Sequence, residues 1–317
     1  MAEIGAFLSS EEHGPRSLLA QAQMAEAAEM RGAFISDHFH PWIDSQGHSP
    51  FVWSVVGAIG ATTSLHVTTG VTCPTVRVHP AILSQAAATT QCLLDGRFVF
   101  GVGSGEALNE HILGDHWPPV ATRLEMLEEA VEVIRKLWQG GLVTHHGRHY
   151  TVENARLYTL PDSPPPIAVS AFGPEAAEVA ARIGDGFVTT KPGSDLLEQY
   201  RRHGGRGDAI AALKVCWDPD EGRARKLAHQ LWPTEAVEGQ LSQELALPSH
   251  FEAAASHVTE DMVADLVPCG PDPERHVAAI ERFLEAGFDR VYVNQIGPDQ
   301  EGFFAFYRRE LRPRLVT

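Results

Sequence analysis

The sequence predicts an α/β protein built as a (β/α)8 TIM barrel. Short apolar runs alternate with longer stretches of helical periodicity along the whole chain, and about eight such strand-and-helix units fit within its 317 residues. No Pro/Ser-rich linker or low-complexity run divides them, so residues 1–317 read as one domain. A doubly wound open sheet is the alternative arrangement of the same alternation.

The elements follow in order. Ile4–Leu8 is the first strand, and the alanine-rich stretch from about Leu18 to Gly32 is the helix behind it. Ala33–Ser36 is the second strand with helix Phe51–Ser64, and Leu65–Val71 the third with helix Ala81–Leu94. Phe98–Val102 is the fourth strand. Its helix, Glu125–Trp138, shows helical spacing in Leu127, Val131, Ile134, Leu137 and Trp138. Ile167–Ala171 with Glu175–Ile183 makes the fifth unit, and Phe187–Thr189 with Leu196–Arg202 the sixth. Leu213–Trp217 with Glu221–Leu231 makes the seventh. Helix Pro273–Ala286 and strand Arg290–Asn294 complete the alternation, and Phe303–Leu311 closes the chain.

Two stretches stand outside the repeat, giving insertions after strand 4 and after strand 7. They are Gly140–Pro166, which contains "THHGRHY", and Trp232–Gly270. Long irregular connections of this kind serve as functional loops or covers over a barrel mouth.

Composition narrows the partners. A hydrophobic content of 44% supplies a substantial core, and 25 basic against 41 acidic residues give a formal net charge of −16. That field repels nucleic-acid phosphates and anionic lipid, which favours a small-molecule substrate and excludes nucleic acid and membrane as partners. No stretch approaches the ~20 apolar residues that span a bilayer. The opening "MAEIGAFLSSEEHGPR" has no basic segment followed by an apolar one, so no secretory leader is expected. Cys73, Cys92, Cys216 and Cys269 lie far apart without metal spacing, as thiols of a cytoplasmic protein would.

In a barrel, reactive groups gather where strands meet the loops that follow them. That rule selects Asp37-His38-Phe39-His40 after the second strand and Val71-Thr72-Cys73-Pro74 after the third. It selects "GVGSGEALNE" (Gly101 to Glu110), "SAFGPEAAE" (Ser170 to Glu178) and Thr189-Thr190-Lys191 after the next three. Trp217-Asp218 and Asn294-Gln295 complete the rim. The glycines of the fourth-strand loop, with Ser104 and Gly105 at its turn, let a ligand approach the backbone. The run Phe172-Gly173-Pro174-Glu175-Ala176 reads as a helix start whose free N–H groups form an anion site. Together on one rim they suit a phosphate-bearing cofactor, and Thr190 and Lys191 stand where a substrate would meet it. Each also reads as an ordinary turn or helix start.

His38 and His40 are two residues apart, which on an extended segment would turn both imidazoles to one side like a metal pair. Further ligands at later strand ends are missing, so no metal is assigned. "HHGRH", His145 to His149, reads as a solvated hairpin tip. An acid–base role suits His38 better: imidazole titrates near neutrality and takes a hydroxyl proton as hydride leaves the carbon, with Glu106 nearby as a second titratable group.

"SDHFHPW", "CPTVRVHP", "GVGSGEALNE" and "IGDGF" resemble the deazaflavin-dependent branch of the bacterial luciferase-like superfamily, nearest its F420-dependent glucose-6-phosphate dehydrogenases. The likeness runs from Gly5 to the closing "EGFFAFYRRELRPRL". It implies a luciferase-like barrel, a homodimer, and coenzyme F420, an 8-hydroxy-5-deazaflavin, in the mouth. By motif, His38 takes the place of the catalytic histidine, Glu106 of the catalytic glutamate, and Trp42 of the tryptophan over the reacting centre. Asp37, Cys73, Asn109, Phe172, Gly173, Glu175 and Ala176 fall at coenzyme-contact positions. A non-prolyl cis peptide is implied near Gly70-Val71, its bulge supporting the ring from behind.

One departure bears on the substrate. Sugar-phosphate users gather basic side chains near the sixth strand end and in the late insertion. Here Lys191 is near the first place, while "SHVTEDMVADLVP" carries no Lys or Arg. The expected activity is therefore hydride transfer between a neutral alcohol or ketone and F420. The alternatives are a glucose-6-phosphate dehydrogenase, an FMN-dependent monooxygenase of the same fold and, more distantly, a metal-dependent hydrolase.

Overall fold

The computed structural model describes residues 2–237 and 239–315. The strands are β1 (Glu3–Leu8), β2 (Gly32–Ile35), β3 (His66–Thr69), β4 (Phe98–Val102), β5 (Val143–His146), β6 (Thr151–Ala155), β7 (Ile167–Ser170), β8 (Gly186–Thr189), β9 (Ala209–Val215) and β10 (Arg290–Gln295). All but the antiparallel β5–β6 hairpin close into one parallel barrel, in the order β1-β10-β9-β8-β7-β4-β3-β2. Ala6 pairs with both Val293 and Ala33, so β1 is hydrogen-bonded on both edges, which removes the open-sheet alternative.

Around the barrel stand α1 (Pro15–Ala27), α2 (Val52–Thr62), α3 (Pro80–Leu93), the one-turn α4 (Ala107–Glu110), α5 (Val120–Leu137), α6 (Pro174–Ile183), α7 (Asp195–Arg202) and α8 (Glu221–Leu231). The late insertion adds α9 (Leu241–Glu244), α10 (Pro248–Ala254) and α11 (Glu260–Leu266). Then come α12 (Pro273–Glu285), α13 (Gln300–Phe306), a wide turn over Tyr307–Leu311, and α14 (Arg312–Leu315).

Alternate side chains of a barrel strand face its interior or the surrounding helices. Phe7, Phe34, Ala168, Ile210, Ala212 and Tyr292 belong to the interior cluster, whereas Leu8, Ile35, Phe100, Ala211 and Val291 join the core beneath the helices. Phe34 meets Phe7 edge-on at 5.1 Å and stacks on Tyr292 at 5.4 Å. A Cβ on Gly5 would lie 2.5 Å from the Tyr292 ring, so glycine is required where that ring crosses the barrel. Continuing the alternation past each strand, Ser9 and Glu11, His38, Lys214 and Asn294 turn toward the mouth.

Three expectations are corrected. The first helix ends at Ala27 rather than near Gly32, because Glu29 takes a left-handed φ of 64°. The seventh barrel strand runs over Ala209–Val215 rather than Leu213–Trp217. Its opening Ala209-Ile210-Ala211-Ala212 looks helical by composition, yet Ile210 and Ala212 turn inward beside Phe7 and Tyr292 while Ala209 and Ala211 pack beneath the helices. The late insertion is mainly helical rather than irregular, with a 3₁₀ turn at Pro233–Ala236 leading into α9, α10 and α11.

Glu12 fastens that insertion to the barrel. Its carboxylate accepts from Trp232 Nε1 at 2.6 Å and from the backbone N–H of Gly297 at 2.8 Å. Burial pushes the group from 4.5 up to about 7, against the lowering effect of both hydrogen bonds. Between those two values the unfolded chain loses the proton first, so ionisation of Glu12 weakens folding as pH rises through the window. The stability of the wild type relative to Glu12→Gln should therefore fall between pH 5 and pH 8, by at most about 3 kcal/mol. Urea unfolding of both proteins at the two pH values measures this, and a pH-independent difference would contradict it.

Candidate active site

The loops after β2 and β4 meet at the mouth because β3 alone separates their strands. The segment Asp37 to Trp42 has no regular structure of its own, and Asn109 of α4 holds it. Asn109 is 2% exposed. Its Oδ1 accepts from the backbone N–H groups of Phe39 at 2.9 Å and His40 at 3.2 Å. Its Nδ2 lies 3.1 Å from His38 Nδ1 and 3.4 Å from Glu106 Oε2. One amide thus joins three of the predicted site residues.

On the opposite side His38 Nε2 lies 3.4 Å from Glu11 Oε1. Glu11 follows β1, and its Oε2 accepts from Ser9 Oγ at 2.9 Å and Ser36 Oγ at 2.6 Å. Burial alone would raise this carboxyl, but His38 and the Ser36 hydroxyl outweigh it and bring it below its ordinary value. With its proton on Nε2 toward Glu11, His38 accepts at Nδ1 from Asn109. With a second proton on Nδ1, it donates instead to the His40 carbonyl, 3.2 Å away. Both charge states of the imidazole therefore have partners. The Trp42 ring stands 5.0 Å from that of His38, held edge-on by Phe251 of α10 at 5.1 Å.

Asp37 faces the third strand end. Its carboxylate accepts from Thr72 Oγ1 at 2.8 Å and from an Arg77 Nη at 3.0 Å. Arg77 also reaches Glu110, whose Oε2 accepts from the Arg77 backbone N–H at 2.6 Å and whose Oε1 lies 3.4 Å from Nε. Burial pushes Glu110 up to about 7. Cys73 is buried nearby, and burial together with Glu110 pushes its thiol well up, so it packs rather than attacks.

The peptide Gly70-Val71 is cis, where the family resemblance placed it. Glycines make room around it: a Cβ on Gly70 would lie 2.0 Å from the Phe34 ring, and one on Gly103 would lie 2.8 Å from Val71 and 2.5 Å from Ser170 Oγ. Ser104 and Gly105 lead from that point into α4. Gly105 turns with φ 80°, its Cβ position 2.5 Å from Cys73 Sγ. Across the mouth, half-exposed Phe172 precedes Gly173, with Pro174, Glu175 and Ala176 in the first turn of α6. Lys191 Nζ donates to the Phe172 carbonyl at 2.8 Å, and Thr190 beside it is exposed.

His38 and His40 of "SDHFHPW" do not face one side. His40 Nδ1 lies 2.8 Å from the Leu108 carbonyl, and its ring stacks on His111 at 5.7 Å. Among the described residues, no group of three or more His, Cys, Asp or Glu side chains could hold a metal ion. The "HHGRH" stretch is a hairpin but not a wholly solvated tip. His145 and His149 fold back onto α5, with Nε2 at 3.1 Å from Glu129 and 3.5 Å from Glu125, while His146 stays exposed.

Glu11, Arg77, Glu110 and Phe251 were not singled out from sequence. The signal for Glu11 was the acidic pair directly behind the first strand, in "SSEEHG". Arg77 sits inside the quoted "CPTVRVHP", and Glu110 ends "GVGSGEALNE".

Residues 1–290 match the family described as luciferase-like monooxygenase. The F420-dependent glucose-6-phosphate dehydrogenase of Microbacterium testaceum (strain StLB037) is 34% identical over 322 residues, covering 97% of this chain and 95% of that one. The enzyme of the same name from Nocardia farcinica (strain IFM 10152) is 35% identical over 329 residues, covering 99% and 98%. Among solved structures, an F420-dependent secondary alcohol dehydrogenase in complex with an F420-acetone adduct superposes with TM-score 0.92 at 30% identity, covering 100% of this chain and 99% of that one. The coenzyme F420 dependent tetrahydromethanopterin reductase from Methanopyrus kandleri shares the fold, with TM-score 0.80 at 22% identity over 99% and 100%.

Arg77 is the cation between two buried carboxyls, so its removal leaves both without compensation. Arg77→Met should cost about 3–5 kcal/mol in denaturant unfolding, the range for breaking a buried ion pair from one side. A loss under about 1 kcal/mol would mean that the cluster behaves like a solvated surface pair.

Proposed function

The chain belongs to the luciferase-like monooxygenase family, and from that membership we propose that it is a coenzyme F420-dependent oxidoreductase exchanging hydride with an uncharged alcohol or carbonyl compound, His38 managing the proton. The observation that carries this reading is the pinning of His38 between Glu11 and Asn109 beside Trp42. Residues 1–317 act together as one domain.

The residues fit a deazaflavin. Gly70, Gly103 and Gly105 let Phe34, Val71, Ser170 and Cys73 pack directly against the backbone at the third and fourth strand ends, and Val71 at that point would serve as a backrest for a planar ring. Asp37, Cys73, Ser104 and Asn109 would border that ring. Phe172, Gly173, Glu175 and Ala176 would receive the phosphate-bearing chain at the free N–H groups opening α6. When bound, the coenzyme supplies a ring carbon that takes up or returns hydride as an electron pair.

In the tautomer that donates Nδ1–H to the His40 carbonyl, His38 accepts the hydroxyl proton at Nε2 while the carbon gives up hydride. Ionised Glu11 stabilises the resulting imidazolium through Nε2, and the His40 carbonyl receives Nδ1–H. Asn109 fixes the ring plane and holds Glu106 within reach as the second titratable group. Trp42, braced by Phe251, covers the reacting atoms against water.

Charge supports an uncharged substrate. Lys191 Nζ is engaged by a backbone carbonyl, Lys214 Nζ at the mouth is 2.7 Å from Glu235 Oε1, and Asp261 in the late insertion holds Arg225. A dianionic sugar phosphate would have to displace carboxylates from Lys214 and Arg225, which leaves it Lys191 for a charge-assisted contact. The relatives named for glucose-6-phosphate therefore indicate the coenzyme, and the structure named for a secondary alcohol indicates the substrate class. Exposed Ile82 and Leu93 on α3, with Phe51 just before α2, suit a homodimer contact, and four free thiols suit the cytoplasm.

His38→Ala should keep coenzyme affinity and lower kcat by roughly 10²–10⁴. His40→Ala should cost much less, since His40 braces α4 rather than facing Glu11. Near-native kcat in His38→Ala would remove His38 from the mechanism. In the same assays, kcat/KM for glucose-6-phosphate should lie well below that for neutral secondary alcohols. Efficient sugar-phosphate oxidation that disappears in Lys191→Ala would overturn the uncharged-substrate reading.

A further inference from the structure

Two mouth-facing polar side chains take no part in the chemistry above. Ile210 and Ala212 of β9 and Tyr292 of β10 point into the barrel, so Lys214 and Asn294, next in step on each strand, point into its mouth. They are also partners in register, Asn294 opposite Lys214. Asn294 is 1% exposed; its Nδ2 donates to the Phe7 carbonyl at 3.4 Å, while its Oδ1 has no hydrogen-bond partner. A buried amide oxygen is rarely left without a donor, which points to a group from outside the chain.

Lys214, the register partner of Asn294 on the adjacent strand, has a side chain only 12% exposed. Its Nζ has Glu235 Oε1 at 2.7 Å and the face of Trp232 at 4.1 Å. An ammonium has three donors, so one remains after the carboxylate and the ring. A free donor and a free acceptor therefore stand on adjacent strands in a region that Glu235 makes electrically neutral. Phe7 underlies both, its ring 5.9 Å from Nζ and its carbonyl bound to Asn294. Two residues past Phe7 is Ser9, which donates to Glu11, the partner of His38. The pair thus borders the His38 side of the mouth, across from the glycine cradle at β3 and β4.

We propose that Lys214 and Asn294 form a subsite for a second hydroxyl of the substrate, and that Glu235 closes this subsite to anions. A hydroxyl accepts from Lys214 Nζ and donates to Asn294 Oδ1, satisfying both at once. A carboxylate or phosphate has no proton for Asn294 and is repelled by Glu235. The preferred substrate is then a secondary alcohol that carries a further uncharged hydroxyl, a diol or polyol rather than a simple alkanol. This rests on the reading of the reaction as alcohol oxidation opposite His38.

The test compares kcat/KM of the F420-loaded wild type for butane-2,3-diol, butan-2-ol and 3-hydroxybutanoate. The diol should exceed the mono-alcohol by about tenfold, the scale of one added hydrogen-bonded group, and the anion should be the poorest. Lys214→Met and Asn294→Ala should each bring the diol-to-mono-alcohol ratio close to one. Glu235→Gln should raise kcat/KM for 3-hydroxybutanoate about tenfold. Equal efficiency with both alcohols in the wild type, which needs no variant to fold, would overturn the subsite alone. Failure to oxidise either alcohol with F420 would overturn the reading of the reaction and the subsite with it. A ratio that survives both substitutions would assign the preference elsewhere in the mouth.

Discussion

The geometry of the mouth depends on one buried amide. Asn109 accepts from two successive backbone N–H groups behind β2, and its Nδ2 faces both His38 and Glu106. Barrel closure brings the second and fourth strand ends near each other, but nothing in closure sets the conformation of an irregular segment. The amide does that, because its donor and acceptor ends cannot be exchanged without losing hydrogen bonds on both sides. Glu11, from the first strand end, meets the imidazole from the other direction. His38 is thus positioned by three loops, each rooted in a separate strand.

Three buried carboxyls near this centre have different fates, and their partners decide which. Glu11 gathers His38 and two serine hydroxyls and falls below its ordinary value despite burial. Glu12 and Glu110, with fewer compensating contacts than their burial demands, rise to about 7. In a chain of net charge −16, two cations near the mouth are already matched by carboxylates: Arg77 with Asp37 and Glu110, Lys214 with Glu235. That matching supports the proposed uncharged substrate, since an incoming anion would have to draw on exposed Lys191, whose Nζ is held by the neutral Phe172 carbonyl. It also separates the mouth into two regions. In the proposed reading the glycine-rich loops and α6 would take the coenzyme, and the side formed by β9, β10, β1 and β2 the substrate.

Much of this was legible in the sequence, for reasons that mark the limits of such reading. Alternation of short apolar runs with helical periods located the barrel strands, and failed at Ala209–Ala212, where three alanines of high helical propensity stand in a strand buried on both faces. The second, fourth and fifth strand ends announced themselves through histidine, aspartate and glycine in ordered motifs. His38, Trp42, Glu106 and Asn109 do come together. Their supports were hidden, because each partnership is long-range: Ser36 to Glu11 spans 25 residues, Arg77 to Asp37 spans 40 and Asn109 to His38 spans 71. A lone acid behind a strand has no reach in sequence, and only the closed barrel shows what it faces. The His-rich hairpin erred the other way, since α5 offers Glu125 and Glu129 to side chains that look solvated.

The central claim is that hydride passes directly between a substrate carbon and a deazaflavin held in the glycine cradle, while His38 handles only the proton. It is tested most directly with a secondary alcohol deuterated at its carbinol carbon, purified protein and F420, without oxygen. The account predicts that reduced coenzyme carries the deuterium from the alcohol, with none exchanged for solvent hydrogen and no requirement for FMN. Turnover that demands FMN and consumes oxygen, or reduced F420 whose new hydrogen comes from water, would contradict it.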